Sequence, residues 1–168
     1  MATTSTTGKE PVIVQREAFH LVGVRIRTTP MAEEIPALWQ AFVPRMREIV
    51  SMAEPRVSYG LMENFDPVSV AFDYVAAMSV LSVDLVPDGL EALTVAAGLY
   101  ARFDATLGTL GEVFGVIFRK WPLAGRYEQT RSPYFERYGP AFDQVDPGSP
   151  VEIYIPVREL AIGVGDGR

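Results

Sequence analysis

The 168-residue chain contains no cysteine and only one histidine, His20. The absence of cysteine excludes disulfides and thiolate chemistry. A histidine-based zinc site or a Ser-His-Asp triad would have to use His20, which is expected to have a structural role in the first strand, so neither a metal nor a cofactor is predicted. Basic residues are also few: 15 Lys and Arg stand against 21 Asp and Glu, for a net charge of -6. This balance argues against direct binding of nucleic acid.

Long hydrophobic runs are missing as well. The longest, around residues 95–100, is far shorter than the roughly 20 residues that span a membrane. The first eleven residues, MATTSTTGKEP, lack the apolar segment of a secretory signal. These absences predict a cytoplasmic protein without a membrane partner. The composition, 48% hydrophobic, predicts one domain over residues 12–160, with a disordered tail at 1–11 and a flexible end at 161–168.

Hydrophobic periodicity in this domain predicts the order β-α-β-β twice. The turn Val86-Pro87-Asp88-Gly89 separates the halves, which cover about residues 12–84 and 90–157. Pro44 falls inside the first helical pattern, so that helix is expected to kink or break there. The predicted strands cover 12–28, 56–62, 68–81, 93–105, 132–138 and 151–157, and the predicted helices about 36–50 and 110–121.

Two landmarks recur at a similar offset, which favours an internal duplication over chance. Tyr59-Gly60 is matched 79 residues later by Tyr138-Gly139, and Tyr74 is matched 80 residues later by Tyr154. The predicted fold is therefore α+β, with duplicated βαββ units about a pseudo-twofold axis. Its antiparallel sheet would carry two helices on one face and a ligand cleft on the other.

Six segments together resemble the GyrI-like small-molecule-binding superfamily over about residues 12–157. They are Tyr59-Gly60, Phe72-Asp73-Tyr74, Leu99-Tyr100-Ala101-Arg102-Phe103, Trp121-Pro122, Pro133-Tyr134-Phe135-Glu136-Arg137-Tyr138 and Val151-Glu152-Ile153-Tyr154-Ile155-Pro156-Val157. The segments of the second half are the more specific ones. The superfamily includes the gyrase-inhibitory protein and the effector-binding domains of AraC-type and MerR-type multidrug-responsive regulators.

The resemblance implies a hydrophobic cleft that accepts lipophilic, often cationic, compounds. It places Glu136 at the base of this cleft, with Glu152 and Tyr154 facing it. Some stand-alone relatives are described as hydrolases of cyclopropane-bearing toxins that use carboxylate and aromatic residues of the pocket. The family pattern has a glycine near Ala77, so the wall of the first half is expected to differ in shape here.

Alternation along the last two predicted strands points to the same acids. Tyr134, Glu136 and Tyr138 share one face of their strand, and Glu152 and Tyr154 share one face of the next. Such faces are either ordinary solvated surfaces or, if they meet the aromatic residues of the first half, an aromatic box with two acids. The predicted ligand-binding residues are Tyr59, Phe72, Tyr74, Trp121, Tyr134, Glu136, Tyr138, Glu152 and Tyr154.

The tryptophans Trp39 and Trp121 lie on apolar helix faces, so both are expected first in the core. Trp121, at the end of its helix, could instead reach the rim of the cleft.

A carboxylate in an aromatic box loses hydration, which raises its pKa and favours pairing with a cation. A cationic ligand would gain Coulomb attraction and cation–π contacts there. The same acid could act as a general base, with Glu136 activating water and Tyr154 or Tyr59 donating a proton. Three functions therefore stay open: a binding protein for lipophilic or cationic molecules, a hydrolase of reactive small molecules, and a module that inhibits a protein partner such as gyrase. No helix-turn-helix fits ahead of residue 12, which predicts a stand-alone protein.

Overall fold

The computed structural model describes residues 10–119 and 125–161 of the chain. The strands are β1 (Val12–Arg16), β2 (Phe19–Thr28), β3 (Ser58–Glu63), β4 (Phe72–Val80), β5 (Glu91–Val95), β6 (Gly98–Thr106), β7 (Tyr127–Gln129), β8 (Tyr134–Tyr138) and β9 (Pro150–Glu159). The helices are α1 (Glu34–Phe42) and α2 (Leu110–Arg119), with 3₁₀ turns at Val43–Glu48 and Leu107–Thr109. Within the described ranges, no helix has the length and apolarity that crossing a membrane requires. The α+β class is confirmed, and the outer parts of both predicted tails, 1–9 and 162–168, lie outside the described residues.

All nine strands belong to one antiparallel sheet in the order β1-β6-β9-β8-β3-β4-β2-β5, with β7 paired to β9. The order is symmetric about the β8–β3 pair, because β3-β4-β2 of the first half mirrors β8-β9-β6 of the second. The outermost strand at each end comes from the other half of the chain. The predicted duplication is therefore present in the topology, with its pseudo-twofold axis between β3 and β8.

Two segments that read as single long strands each form two strands. Residues 12–28 contain β1 and β2, and residues 93–105 fall largely on β5 and β6, with a two-residue link in each case. The first strand of each pair adds to the other half, whereas the second stays in its own half. The predicted break at Pro44 is confirmed, since α1 passes into a 3₁₀ turn at Val43. Proline has no N–H for the α-helical hydrogen bond, which explains the change.

The two tyrosine landmarks do not occupy equivalent positions, so the repeat register predicted from them is wrong. Gly60 lies opposite Glu136 in the β3–β8 pair, and side chains of directly opposite residues share a face. Tyr138 therefore lies on the Gly60 face and Tyr59 on the other. Tyr74 and Tyr154 are likewise on opposite faces. Because side chains alternate along a strand, an offset wrong by one residue exchanges the faces.

Both helices pack on the sheet face that carries Glu136. Leu38 and Phe42 of α1 share a core with Val22 of β2 and Ala76 of β4. Ile117 of α2 shares a second core with residues of β6 and β9, namely Ala101, Phe103, Ile153, Ile155 and Val157. The predicted packing of the apolar face of β9 under a helix is thereby confirmed. A third core, which includes Leu21, Tyr59, Tyr100, Phe135 and Tyr154, lies on the opposite face.

Candidate ligand-binding site

Glu136 lies near the middle of the sheet, where the two halves of the chain meet. It is on β8, directly opposite Gly60 of β3 on one side and Ile153 of β9 on the other. Only 6% of the residue is exposed, and among residues 10–119 and 125–161 it is the one buried carboxylate. A buried carboxylate is costly unless it is paired or protonated, so this position needs a physical explanation.

A chain of hydrogen bonds links Glu136 to α1. The hydroxyl groups of Tyr138 and Tyr74 both donate to Glu136 Oε2, the latter at 3.1 Å. The indole Nε1 of Trp39 donates in turn to the Tyr74 hydroxyl oxygen at 3.0 Å. Both phenols use the same carboxylate oxygen, so neither bonds to Oε1. The three aromatic residues come from α1, β4 and β8, and they fix the position of the acid from both halves of the domain.

Burial dominates the electrostatics of this group. It raises the pKa of Glu136 to about 7, although the hydrogen bonds from Tyr138 and Tyr74 lower the pKa in part. Burial, together with the negative charge of Glu136, also raises the pKa of Tyr74, Tyr138 and Tyr134, the last to about 12. Near neutral pH the carboxyl group therefore exchanges its proton while the phenols stay neutral hydrogen-bond donors.

Aromatic rings from both helices pack against the tyrosines on either side of Glu136. On the α1 side, Trp39 packs edge-on against Tyr138, with ring centroids 5.6 Å apart. On the α2 side, Phe114 and Phe118 stack at 6.0 Å and contact the Tyr134 ring at 6.1 and 5.6 Å. Phe118 is 48% exposed. Glu136 thus has tyrosines before and after it on the same face of β8, and each of these tyrosines packs against aromatic rings of one helix.

The structure divides the predicted site residues between two faces. Phe72, Tyr74, Tyr134, Glu136 and Tyr138 lie on the face that the helices cover, whereas Tyr59, Glu152 and Tyr154 lie on the other. Trp121 is outside the described residues. The β8–β9 register causes the division, because it pairs Phe135 with Tyr154 and Arg137 with Glu152. An aromatic box holding both Glu136 and Glu152 is therefore not formed, and Glu136 is on the helix-covered face rather than on the face where the cleft was expected.

The acids of the opposite face are already paired with a cation. Arg137 lies 2.9 Å from both Glu54 and Glu152. Tyr59 donates a hydrogen bond to Glu54, and Tyr154 donates to Glu152 at 3.0 Å. Burial alone would raise the pKa of Glu54, but its hydrogen bonds from Tyr59 and Arg137 outweigh burial and hold that pKa below the ordinary value. Arg102 also lies 3.7 Å from Glu152, so each acid of this network has a cation of the protein beside it and offers little to a ligand cation.

The same division bears on catalysis and on metals. Because the sheet lies between Glu136 and the hydroxyl groups of Tyr59 and Tyr154, the general base and its predicted phenolic donors are not brought together. Within the described residues, no group of three or more His, Asp or Glu side chains is arranged to hold a metal ion.

Sequence reasoning missed three aromatic residues and one glycine of this site. The apolar helix pattern predicts Trp39 in the core, which is correct for packing but does not reveal its contact with Tyr138, and it does not distinguish Phe114 and Phe118, which contact Tyr134. The indole N–H of Trp39 was one available signal, since it usually finds a partner when buried. Gly60 was noted only as part of a repeat, although its lack of a side chain makes room for the acid.

Comparison with known proteins agrees with this architecture. The family model for Cass2, described as an integron-associated effector binding protein, matches residues 12–157. The transcriptional regulator BrlR of Pseudomonas aeruginosa is 34% identical over 148 residues, which cover 86% of this chain and 54% of BrlR. The chain thus spans about half the length of that relative.

Solved structures share the fold. An integron cassette protein, VCH_CASS2, from the mobile metagenome of Vibrio cholerae is 26% identical with a TM-score of 0.59, over 89% of this chain and 97% of that one. SAV2435, solved with bound tetraphenylphosphonium, is 18% identical with a TM-score of 0.68, over 89% and 94% of the two chains. The GyrI-like resemblance predicted from sequence is confirmed, and the chain belongs to the Cass2 family of integron-associated effector binding proteins.

Proposed function

We propose that this chain binds lipophilic cations at Glu136, between the aromatic walls of α1 and α2. The observation that carries the proposal is a carboxylate only 6% exposed whose described hydrogen-bond donors are two uncharged phenols. A buried negative charge without a cation is costly, so a ligand cation would relieve an existing penalty.

The contrast with the other acids of the sheet supports this assignment. Glu54 and Glu152 both have Arg137 at 2.9 Å, and Arg102 lies 3.7 Å from Glu152, so a ligand cation would gain less from them than from an acid without any ion pair. Glu136 has no ion pair with any residue in the described parts of the chain. Coulomb attraction at low effective dielectric therefore favours Glu136 as the acid that holds the ligand charge.

The walls suit a cation that is apolar on its outside. Each favourable cation–π contact contributes about 0.5–2 kcal/mol, and buried apolar ligand surface contributes about 25 cal/mol per Å². Trp39 on one side and Phe118 on the other supply rings that are not fully buried in the protein. SAV2435, which has the same fold, holds tetraphenylphosphonium, and this makes that cation the natural first probe.

Isothermal titration calorimetry with tetraphenylphosphonium chloride at pH 8 tests the proposal. We expect wild-type protein to bind and the isosteric variant Glu136→Gln to bind at least about tenfold more weakly, which is about 1.4 kcal/mol. The matched control is Glu152→Gln, the same substitution on the opposite face, which should bind like wild type. Equal affinities of Glu136→Gln and wild type, or a loss confined to Glu152→Gln, would contradict the proposal.

The two other functions predicted from sequence stay predictions. A hydrolase would convert a reactive substrate into a product, which product analysis after the titration would detect. Inhibition of a protein partner would not depend on Glu136, so Glu136→Gln would leave it unchanged. No contact among residues 10–119 and 125–161 favours either of them over ligand binding.

A further inference from the structure

The side chains that face Glu136 give it no fixed counter-charge. They are Trp39 from α1, Tyr74 from β4, Tyr134 and Tyr138 from β8 and the uncharged Ile153 from β9, and the residue opposite Glu136 on β3 is Gly60. The three phenols have a raised pKa, so in the described residues around the site Glu136 is the one group that titrates near neutral pH. The aromatic pair Phe114 and Phe118 of α2, which reaches the site through Tyr134, is uncharged.

The hydrogen-bond geometry leaves room for a proton on the carboxyl group. Tyr74 and Tyr138 both donate to Oε2, and neither donates to Oε1. A protonated carboxyl can keep both phenol bonds on Oε2 while its O–H is on Oε1. The neutral acid is therefore compatible with both phenol hydrogen bonds as they stand.

From this geometry, and resting on the proposed function, we propose that the site takes ligands with a single, delocalised positive charge and releases one proton for each. The protonated Glu136 carboxyl group loses its proton to solvent, and the carboxylate that results pairs with the incoming cation. The charge of the buried site is zero before and after binding. Neither a redox step nor a co-reactant is involved.

The number and kind of charges follow from the donor set. One buried carboxylate neutralises one charge, so a second ligand charge at this depth would be uncompensated. A primary ammonium brings three N–H donors that need acceptors. Here Glu136 Oε1 is the one carboxylate oxygen without a described donor, the Tyr74 oxygen already accepts from Trp39, and the remaining wall is aromatic, so three N–H donors would not all find strong acceptors. Quaternary ammonium, aryl-phosphonium and delocalised dye cations need no such acceptors, and they are the class this site suits.

Proton release can be counted directly. Calorimetric titrations of the full chain with tetraphenylphosphonium chloride, repeated in buffers of different ionisation enthalpy, give the protons released per bound ligand. With a Glu136 pKa of about 7, we expect about 0.9 proton at pH 6, about 0.5 at pH 7 and about 0.1 at pH 8. The apparent affinity should rise nearly tenfold from pH 5 to pH 6 and change little above pH 8.

Two probes of matched shape test the role of charge. Tetraphenylborate has nearly the shape of tetraphenylphosphonium with the opposite charge, and it should not bind at pH 8, where the site is anionic. Triphenylphosphine oxide is neutral and should bind, if at all, without proton release and more weakly as pH rises. Tetraphenylborate binding as tightly as tetraphenylphosphonium at pH 8 would overturn the proposal.

Two conservative variants test the role of the phenols. Tyr138→Phe removes one donor to Oε2, so the proton-release profile should move to higher pH. The control is Tyr100→Phe on the opposite face of the sheet, whose hydroxyl donates to the Ala96 carbonyl oxygen rather than to Glu136, and its profile should match wild type. Glu136→Gln should release no proton at any pH.

Failure of this inference is distinct from failure of the proposed function. Tetraphenylphosphonium that binds wild-type protein through Glu136 without proton release at pH 6 and pH 7 would overturn the exchange and leave the binding function standing. A lack of tetraphenylphosphonium binding between pH 6 and pH 8 would overturn both.

Discussion

Gly60 lies directly opposite Glu136 across the β3–β8 pair, and the space that a side chain on Gly60 would fill is occupied by the Tyr74 hydroxyl and the Glu136 carboxyl group. A Cβ atom at residue 60 would lie 2.2 Å from the Tyr74 hydroxyl oxygen and 2.8 Å from Glu136 Oε2. The pair marks the junction between the two halves of the sheet. The candidate site therefore forms only where the two halves associate. The second half contributes the acid, and the first half contributes a glycine whose missing side chain leaves room for it.

Gly60→Ala should damage this site more than it damages the fold. The new methyl group has to displace either the Tyr74 hydroxyl or the carboxyl group, and overpacking of this kind costs about 1–3 kcal/mol. We expect a lower free energy of unfolding in urea denaturation and a loss of tetraphenylphosphonium binding.

The control for this variant is Gly111→Ala in α2, where a Cβ atom would be 3.7 Å from its nearest neighbour, the Cε of Met31. Alanine is favoured over glycine in a helix by up to about 1 kcal/mol, so this variant should be as stable as wild type or more stable. Normal binding by Gly60→Ala would mean that the Tyr74–Glu136 contact is not needed for the ligand.

Stability should depend on pH through Glu136. Burial raises its pKa from the ordinary 4.5 to about 7, so between these values the folded chain binds more protons than the unfolded chain. The free energy of unfolding therefore falls as pH rises through this window, by roughly 2–3 kcal/mol for this one group between pH 5 and pH 8. Urea denaturation of wild type and Glu136→Gln at both pH values measures it: the variant should gain by this amount relative to wild type at the higher pH. A difference that is the same at pH 5 and pH 8 would contradict the assignment.

The sequence determined the faces of individual strands but not how those faces combine. Alternation correctly put Tyr134, Glu136 and Tyr138 on one face of β8, and Glu152 with Tyr154 on one face of β9. Which face of β9 matches which face of β8 depends on the pairing register. The connection formed by residues 139–149 is long enough for β9 to pair with β8 in either of two registers that differ by one residue. A slip of one residue exchanges the faces of β9. The pattern could therefore not reveal that the two glutamates are on opposite sides.

The sequence also does not predict that each half of the chain contributes its first strand to the sheet of the other half. Glu17 and Ala18, the link between β1 and β2, contain neither glycine nor proline, so residues 12–28 read as one continuous strand. Trp39 illustrates a different limit. Helical periodicity predicts that it faces the interior, but only the tertiary structure brings its indole N–H to the tyrosine that holds the acid.

Arg16 should stabilise the opposite face without affecting the ligand. Its guanidinium carbon is 4.7 Å from the ring centroid of Tyr154, 5.0 Å from that of Phe19 and 5.4 Å from that of Phe135. These contacts connect the end of β1 to strands of both halves. At a partly exposed site such cation–π contacts contribute about 0.5–2 kcal/mol in total to the stability of the fold.

Arg16→Gln should therefore lower the free energy of unfolding by about 1 kcal/mol and leave tetraphenylphosphonium affinity unchanged. Gln15→Ala changes an exposed neighbour on β1 and serves as the control for substitutions in this strand. A Kd for tetraphenylphosphonium that rises in Arg16→Gln would place part of the ligand on this face and contradict the assignment to the helix-covered face.

Replacing Phe118 should weaken tetraphenylphosphonium binding much more than it lowers the stability of the fold. Its ring stacks on Phe114 and meets the edge of Tyr134, yet it is 48% exposed, so the fold buries only about half of the residue. Phe118→Ala should thus cost about 1 kcal/mol of stability and weaken tetraphenylphosphonium binding about 5- to 30-fold, because the ligand loses one aromatic wall. Leu85→Ala removes a side chain that is 71% exposed in the link between the halves, and its Kd should equal that of wild type. A Phe118→Ala protein that binds as tightly as Leu85→Ala would remove α2 from the site and leave Trp39 as the principal wall.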